Sequence, residues 1–245
     1  MIFLYLSSTL LVVATAFCIT LLFDDCKQHL RLLAAIVLYY AEVAIVGRVL
    51  SLFGLIGHPL AWLLSEFFLF LLATWYVIRK IGLRSPKETF KNLKIEWPKG
   101  GVLEKIKALK IPIYLAPATA VIFFGVICLL LVSLAASVFI PQTMDDILTA
   151  YLPRVGYWIQ DGSLSYSPAS AYNSVQFSYP VNAHIPLLRS IVLSDRLNFI
   201  GLDQWIAGIA SAVGVFGLAN LFKAKKGVSW AIAGIWLMIP TIGVQ

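Results

Sequence analysis

The sequence predicts an all-α fold: a polytopic helical membrane protein with about six transmembrane helices and an amphipathic helix in a large external loop. Hydrophobic residues make up 60% of the 245 residues and charged residues only 13%, with a mean hydropathy of +0.87. Soluble domains carry about 25% charged residues, so this composition indicates an integral membrane protein. The apolar runs are long and do not alternate with polar residues, which favours helices over a β-barrel.

Six apolar runs approach the length of about 20 residues that a helix needs to cross a bilayer. Three of them form an N-terminal region, residues 1–78, and a charged stretch at 79–110 leads into a second region at 111–245. We expect the first run to be an uncleaved helix, because no basic segment precedes it and Asp24 and Asp25 follow it where a signal peptide would have small residues. The predicted spans are residues 2–23, 32–56, 60–78, 111–140, 204–222 and 228–242.

Charged side chains lie inside two of the predicted spans, where they are costly unless they are paired or hydrated. Glu42 and Arg48 fall in the second span, and Glu66 falls in the third. One interpretation is a cavity lined by these groups, or a mutual ion pair between Glu42 and Arg48. The other is snorkelling of the side chains toward the membrane surface, combined with packing inside a helix bundle. The sequence leaves both interpretations open.

The basic residues predict how the chain is oriented in the membrane. Residues 79–110 hold ten Lys or Arg against Glu88, Glu96 and Glu104, and this surplus of +7 equals the net charge of the chain. By the positive-inside rule this stretch is cytoplasmic, as is the lysine group at 223–226. The segment 141–202 is slightly acidic, so we expect this segment and the N-terminus to be non-cytoplasmic. Anionic membrane lipids explain the positive charge, and nucleic acid is not an expected partner.

The external segment begins with a predicted amphipathic helix over residues 146–160, which we expect to lie in the membrane interface. At about 100° per residue one side is apolar and the opposite side is polar, with Arg154 on the flank of the polar side. Pro153 removes a backbone N–H inside this helix, which predicts a kink. The apolar side consists of Leu148, Tyr151, Leu152, Val155, Trp158 and Ile159. The polar side consists of Asp146, Thr149, Ala150, Pro153, Tyr157 and Gln160.

Common signatures of enzyme and metal sites do not occur in the sequence. Cys18, Cys26 and Cys128 are odd in number and have no metal-ligand spacing, so we expect neither a structural disulfide nor a cysteine-based metal site. No P-loop, G-x-S-x-G, H-E-x-x-H or dinucleotide-binding pattern is present. The sequence therefore does not indicate these classes of function.

The central segment resembles a known family. Residues 146–162 read DILTAYLPRVGYWIQDG, and they resemble the first external loop of bacterial GT-C membrane glycosyltransferases. These enzymes use polyprenyl-phosphate sugars and are related to the protein O-mannosyltransferases and the lipid A aminoarabinose transferases. The family has a Tyr-His-Leu-Pro-Arg core and a Trp-x-Gln-x-Gly ending, matched here by Tyr151-Leu152-Pro153-Arg154 and Trp158-Ile159-Gln160-Asp161-Gly162.

Downstream residues extend the resemblance over about residues 143–221, roughly a third of the chain. The family follows its first external loop with a Gln-x-x-Tyr-Pro stretch, an Ala-Glu pair and the entry to the next span. The residues that resemble these features are Gln176-Phe177-Ser178-Tyr179-Pro180, Ala183, Asp195-Arg196-Leu197 and Gln204-Trp205.

The resemblance implies a sugar transfer from a polyprenyl-phosphate donor to a hydroxyl or similar acceptor, on the non-cytoplasmic face of a bacterial inner membrane. In this reaction Asp146 is the general base that takes the acceptor's proton, and Arg154 binds the leaving lipid phosphate. The alternative role of Asp146 is simple capping of the helix. The alternative role of Arg154 is an ion pair with Asp161 that only stabilises the loop. Asp145 either caps the helix or shares a divalent metal ion with Asp146; no other cofactor is expected. The substrate-binding residues implied are Asp145, Tyr157, Gln160, Gln176, Tyr179 and His184.

Two departures from the family keep a second function open. His184 stands where the family has a Glu after Ala183, so a second carboxylate is missing, and the family usually has more spans than the six predicted here. The chain is then either a part of a longer enzyme or a shortened descendant. The alternative function is a non-catalytic membrane subunit that packs against other proteins or pigments in a larger complex. A transporter that uses Glu42, Arg48 and Glu66 lacks the broken-helix repeats of that class.

Overall fold

The computed structural model describes residues 1–23, 27–81, 117–140, 148, 151–165 and 181–239. Every secondary-structure element in these ranges is helical, so the predicted all-α class is confirmed for them. The predicted basic loop lies outside the described residues from residue 82 onward. The helices are α1 (Ile2–Thr20), α2 (Gln28–Leu52), α3 (Pro59–Ile81), α4 (Pro117–Phe139), α5 (Leu152–Asp161), α6 (Ile185–Ser194), α7 (Ile200–Leu221) and α8 (Lys226–Leu237), with a 3₁₀ turn at Val181–Ala183.

Four of these helices are long and apolar enough to cross a membrane, namely α1, α2, α3 and α7. The chain is therefore an integral membrane protein. Helix α8 has 12 residues, fewer than the roughly 20 that a span needs. Helix α4 is strongly apolar along Phe124–Phe139. The fourth and sixth predicted spans, which correspond to these two helices, stay predictions.

A tight turn joins α2 to α3 and forms one end of the helix bundle. Gly54 adopts a left-handed conformation, with φ of 69°, and the next residue, Leu55, donates its backbone N–H to the carbonyl of Leu50 over 2.9 Å. The indole Nε1 of Trp62 donates to the carbonyl of Ile56 over 2.8 Å and fixes the first turn of α3. The second predicted span ends earlier than expected, at Leu52, because the positive φ of Gly54 ends the helix.

Helix α6 is a short segment buried among the long helices. It contacts α1, α2, α3 and α7, and all of its residues except Ile191 are buried. A Cβ atom on Gly47 of α2 would lie 2.5 Å from Cγ2 of Ile185, so a glycine is needed for this close approach. The predicted external segment at 141–202 therefore includes a helix that inserts into the bundle, and its placement on the non-cytoplasmic side stays a prediction. The apolar side chains of α6 bury themselves in the bundle although ten residues are too few to span a membrane.

Helices α4, α7 and α8 pack against one another beside the α1–α2–α3 group. The indole of Trp205 on α7 donates to the carbonyl of Leu130 on α4 over 3.1 Å. The indole of Trp236 on α8 donates to the hydroxyl of Ser211 on α7 over 3.0 Å. Helix α7 also contacts α2, so it joins the two groups of helices.

Helix α5 covers the end of the bundle where α2 turns into α3. The backbone N–H of Leu164 donates to the hydroxyl of Ser51 over 2.7 Å, and Arg48 donates to Oδ1 of Asn182 over 2.8 Å. A Cβ atom on Gly162 would lie 2.8 Å from the carbonyl oxygen of Gly54, so these two glycines meet backbone to backbone. The described basic residues at the helix ends on the opposite side are Lys27, Arg31, Arg79, Lys80, Lys223, Lys225 and Lys226. Helix α5, which carries the core of the family resemblance, thus lies away from this basic side.

Candidate functional site

The candidate site lies where α5 meets the start of α6. Nη1 of Arg154 lies 3.2 Å from Nδ1 of His184, which is the residue before α6. Arg154 is 3% exposed and His184 is also buried. The guanidinium can only donate, so Nδ1 of His184 accepts this hydrogen bond. Two of the predicted site residues, thirty positions apart in the chain, are therefore in direct contact.

Aromatic rings enclose the Arg154–His184 pair. The guanidinium of Arg154 lies 4.9 Å from the centre of the Trp158 ring, one turn further along α5. The Tyr151 ring lies 4.6 Å from the His184 ring. Trp158 is fully buried, so it does not belong to an interfacial aromatic belt. This enclosure holds the guanidinium in one place, as stacking on an indole does in general.

Among the described residues, the predicted loop helix consists of α5 and of π-helical residues before it, Leu148 and Tyr151. Helix α5 starts at Leu152, which puts Pro153 in its first turn. A missing N–H costs little there, since the first N–H groups of a helix have no partner inside it. Because residues 149 and 150 lie outside the described residues, the kink predicted at Pro153 stays a prediction. Gly162 ends the helix in a left-handed conformation, with φ of 67°.

The sides of α5 differ from the prediction at one important residue. Val155 and Trp158 are buried as expected, whereas Gln160 and Asp161 are exposed and Tyr157 is half-buried. Arg154 was predicted on the flank of the polar side, but it faces the protein interior. The scaffolding pair between Arg154 and Asp161 is also absent among the described ion pairs. The buried guanidinium contacts Trp158 and His184, and sequence periodicity does not reveal these contacts.

Burial and the neighbouring cation control the charge of this site. Burial, with a further contribution from Arg154, lowers the pKa of His184 to about 4. Burial also lowers the pKa of Arg154 from its very high ordinary value, but a guanidinium stays protonated in proteins. At neutral pH the pair therefore consists of a neutral imidazole and a buried cation.

A buried ion pair lies one helical turn further along α6. Nε of Arg189 donates to Oε1 of Glu66 over 2.7 Å, and both side chains are at most 1% exposed. Nη2 of Arg189 donates to the hydroxyl of Ser8 over 2.6 Å, and Ser8 in turn donates to Oε2 of Glu66. Nη1 lies 3.4 Å from the hydroxyl of Tyr39. These contacts join α6 to α1, α2 and α3.

A second buried carboxylate joins α6 to α7. Asp203 accepts a hydrogen bond from Ser190 over 2.9 Å and another from the hydroxyl of Tyr39 over 3.3 Å. The hydroxyl of Tyr40 donates to the backbone carbonyl of Asp203. Arg189 and Asp203 were not predicted as important residues. The signal that was available was a lone arginine inside the apolar run at 185–194 and an aspartate at the start of a predicted span.

Glu42 and Arg48, the two charged residues of the second predicted span, do not pair with each other. Arg48 is exposed and donates to Asn182. Glu42 is buried, and neither of its carboxyl oxygens has a hydrogen-bond partner. The interpretation of Glu42 and Arg48 as a mutual ion pair is therefore wrong, and Glu66 of the third predicted span pairs with Arg189.

Four predicted site residues lie outside the described residues: Asp145, Asp146, Gln176 and Tyr179. Their roles as base, metal ligand or substrate contacts stay predictions. In the part of the chain that the structure describes, no three His, Cys, Asp or Glu side chains are grouped to hold a metal ion.

Comparisons with known proteins do not assign a family. No protein-family model, curated protein or solved structure matches the chain.

Removing the cation of the buried pair should strongly destabilise the bundle. We expect Arg189→Gln to cost about 3–5 kcal/mol, because Glu66 is left buried without its counter-charge. Arg48→Gln, which removes an exposed hydrogen bond on a neighbouring helix, should cost less than about 1 kcal/mol. Unfolding by SDS titration in micelles, followed by tryptophan fluorescence, measures both.

The double variant Glu66→Met with Arg189→Met provides the control for this prediction. It should recover most of the stability, since two apolar side chains of similar size replace the pair. Equal stability of wild type and Arg189→Gln would show that the ion pair does not hold α6 in place.

His184 should stay neutral throughout the physiological pH range. Its pKa is lowered to about 4 in the folded chain, against about 6.5 for an unfolded histidine. The unfolded chain therefore takes up this proton first, so the stability that depends on His184 is lost as the pH falls from about 6.5 toward 4. NMR of histidine-labelled protein measures the titration, and His184→Gln identifies the signal. Arg154→Gln should raise this pKa by removing the cation; a titration near 6.5 in wild type would contradict the buried site.

Proposed function

We propose that this chain is a GT-C-type membrane glycosyltransferase, or the N-terminal portion of one. It transfers a sugar from a polyprenyl-phosphate donor to an acceptor on the non-cytoplasmic face of the membrane. The observation that carries this proposal is the buried Arg154 in the segment that resembles the family's first external loop. Its contact with His184 joins this segment to the downstream stretch of the same resemblance.

The charge distribution supports the proposed orientation. The helix ends opposite α5 carry Arg79, Lys80 and the lysines at 223–226, whereas near α5 the exposed charges are mixed, with Asp161 and Asp195 beside Arg48 and Arg196. Basic residues next to spans favour the cytoplasmic side. On this basis α5, α6 and the N-terminus of α1 belong to the non-cytoplasmic half, where the donor's phosphate and the acceptor meet. A bacterial inner membrane is the compartment that the family resemblance implies.

Arg154 is suited to bind the leaving lipid phosphate. A planar guanidinium offers two parallel N–H donors that match a phosphate, and charge-assisted hydrogen bonds of this kind are strong. Its stacking on Trp158 limits its movement, and the neutral His184 does not oppose its charge. The site therefore holds a buried, fixed positive charge at the end of the helix bundle.

Asp146 is proposed as the general base, on the strength of the resemblance. A carboxylate held at the boundary of water and membrane is suited to take the acceptor's proton as the anomeric carbon is attacked. Asp145 either caps the helix or shares a divalent metal ion with Asp146. Tyr157 and Gln160 lie on the accessible side of α5, as sugar-contacting residues should. Gln176 and Tyr179 are assigned to the substrate by resemblance.

A second candidate function is a non-catalytic membrane subunit that keeps this scaffold. His184 favours it, because the family's glutamate at this position would supply a second carboxylate. In this chain the histidine holds Arg154 by accepting its hydrogen bond. The described long helices also expose many large apolar side chains that lipids or other subunits can cover.

Replacement of the proposed base tests the enzymatic function. Asp146→Asn should lower sugar transfer by about 10²- to 10⁴-fold, because an amide cannot take the acceptor's proton. Asp161→Asn is the matched control: it removes the same charge from the same segment at an exposed position and should leave activity unchanged. The assay measures transfer of labelled sugar from a polyprenyl-phosphate donor in membranes, with expression of each variant checked.

Three further results of this assay distinguish the two candidate functions and the roles of the two residues. Arg154→Lys should also lose activity, since an ammonium keeps the charge but not the two parallel donors. Full activity of Asp146→Asn would exclude it as the base. Absence of transfer in wild type, tested in its full reading frame, would favour the membrane subunit.

A further inference from the structure

An accessible arginine lies next to the buried cation of the candidate site. Arg48, near the end of α2, is exposed, whereas Arg154 is 3% exposed. The Nε and Nη2 atoms of Arg48 both donate to Oδ1 of Asn182, over 3.2 Å and 2.8 Å. Asn182 belongs to the 3₁₀ turn that precedes His184, which accepts a hydrogen bond from Arg154. The two arginines therefore contact residues whose Cα atoms are at most about 7 Å apart.

The contact with Asn182 fixes the guanidinium of Arg48 without neutralising its charge. An amide oxygen is a neutral acceptor, and the two N–H groups that share it hold the guanidinium plane in one orientation. Among the described residues the ion pair is that of Arg189 with Glu66, so no described carboxylate pairs with Arg48. Its remaining N–H groups, on Nη1 and the second one of Nη2, have no acceptor in the described part of the chain. The surface therefore carries an oriented charge that is not compensated by these residues.

The position of Arg48 along α2 brings this charge to the level of lipid phosphates. Arg48 lies four residues before the end of α2 at Leu52, which is about 6 Å along the helix axis. The stem of an arginine covers this distance and places the guanidinium in the polar layer of the membrane. The preceding residue, Gly47, lies against Ile185 of α6, so the backbone beneath Arg48 is fixed.

We propose that Arg48 and Asn182 bind the phosphate that leaves during the sugar transfer, an inference that rests on the function proposed above. The phosphate of the donor is a diester with a single charge. The acceptor's oxygen forms the new bond to the anomeric carbon, and the acceptor's proton goes to the proposed base, Asp146. The old bond breaks with its electron pair left on the phosphate oxygen, so the lipid phosphate becomes a monoester with a charge of about −1.5 to −2. Arg154 provides one counter-charge from the interior, and Arg48 provides the second from the accessible side.

This pair of cations favours a lipid monoester over the head groups of ordinary phospholipids. Phospholipid head groups are attached through phosphodiesters, whose phosphate carries a single charge. Two guanidinium groups held by neighbouring residues match the additional charge of a monoester, and hydrogen bonds to it are charge-assisted from both sides. Because Oδ1 of Asn182 accepts from Arg48, Nδ2 of the same amide is a further donor at this place.

Binding measurements on the purified full chain in phosphatidylcholine nanodiscs test this inference. The bound ligand is radiolabelled farnesyl phosphate, a lipid monoester, and phosphatidylglycerol and inorganic phosphate compete with it. We expect both competitors to be weak. Arg48→Gln should lower the affinity for farnesyl phosphate by roughly fivefold to twentyfold, the effect of removing a hydrogen bond to a charged group. Arg196→Gln is the matched control, because it removes an exposed arginine at the same end of the bundle and should leave this affinity unchanged.

A second variant separates phosphate binding from a purely structural role of the contact. Asn182→Asp keeps the size of the side chain and forms an ion pair with Arg48, so resistance to SDS should not fall. The affinity for farnesyl phosphate should nevertheless fall as far as in Arg48→Gln, because the charge of Arg48 is then neutralised. A contact that only stabilises the fold predicts unchanged affinity in Asn182→Asp.

The outcomes separate this inference from the proposed function. Wild-type affinity in Arg48→Gln, or an equal loss in Arg196→Gln, would overturn the inference. Equal competition by phosphatidylglycerol or by inorganic phosphate would do the same, since the site would then bind any lipid head group or free phosphate. If Arg154→Gln weakens binding and Arg48→Gln does not, the inference fails and the proposed function stands. If the wild type does not bind farnesyl phosphate in preference to the competitors in any of these tests, both fail.

Discussion

The ion pair between Arg189 and Glu66 is the interaction on which the described structure depends. It brings a charged arginine into the middle of a helix bundle, which is costly unless the charge is paired and its N–H groups have acceptors. The structure supplies both, because Glu66, Ser8 and Tyr39 surround the guanidinium from three different helices. A helix of ten residues thereby gains a fixed position among four longer ones. The pair also explains a glutamate in the middle of an apolar span.

This position of α6 determines the geometry of the candidate site. His184 immediately precedes α6, so the buried pair fixes the imidazole that accepts a hydrogen bond from Arg154. Helix α5 is fixed independently by the close approach of Gly162 to Gly54 and by burial of Trp158. The guanidinium of Arg154 is thus held between two anchored helices. A preorganised cation of this kind stabilises a developing negative charge without having to move first.

The sequence predicted the helical membrane class, the four helices that are long and apolar enough to cross a membrane, and the segment that forms the candidate site. Those features depend on the length of the apolar runs and on the order of residues within short motifs, and a sequence shows both directly. The partners of Glu66 and Arg154 were missed because Arg189 and His184 lie far away in the chain, and residue periodicity carries no information about such contacts. The insertion of α6 was missed for a related reason. A ten-residue apolar run is too short to be read as a span, and its single arginine favours an external position unless its counter-charge is known.

Binding of a polyprenyl phosphate to the purified chain tests the central claim most directly, because it requires no acceptor and no turnover. The account predicts that the chain binds polyprenyl phosphate more tightly than the matching polyprenol. Arg154→Gln should remove this preference, with a loss of roughly tenfold to a hundredfold in affinity for the phosphate, as expected for a hydrogen bond to a charged group. Equal affinity for the two lipids, or a phosphate preference that survives Arg154→Gln, would contradict the account.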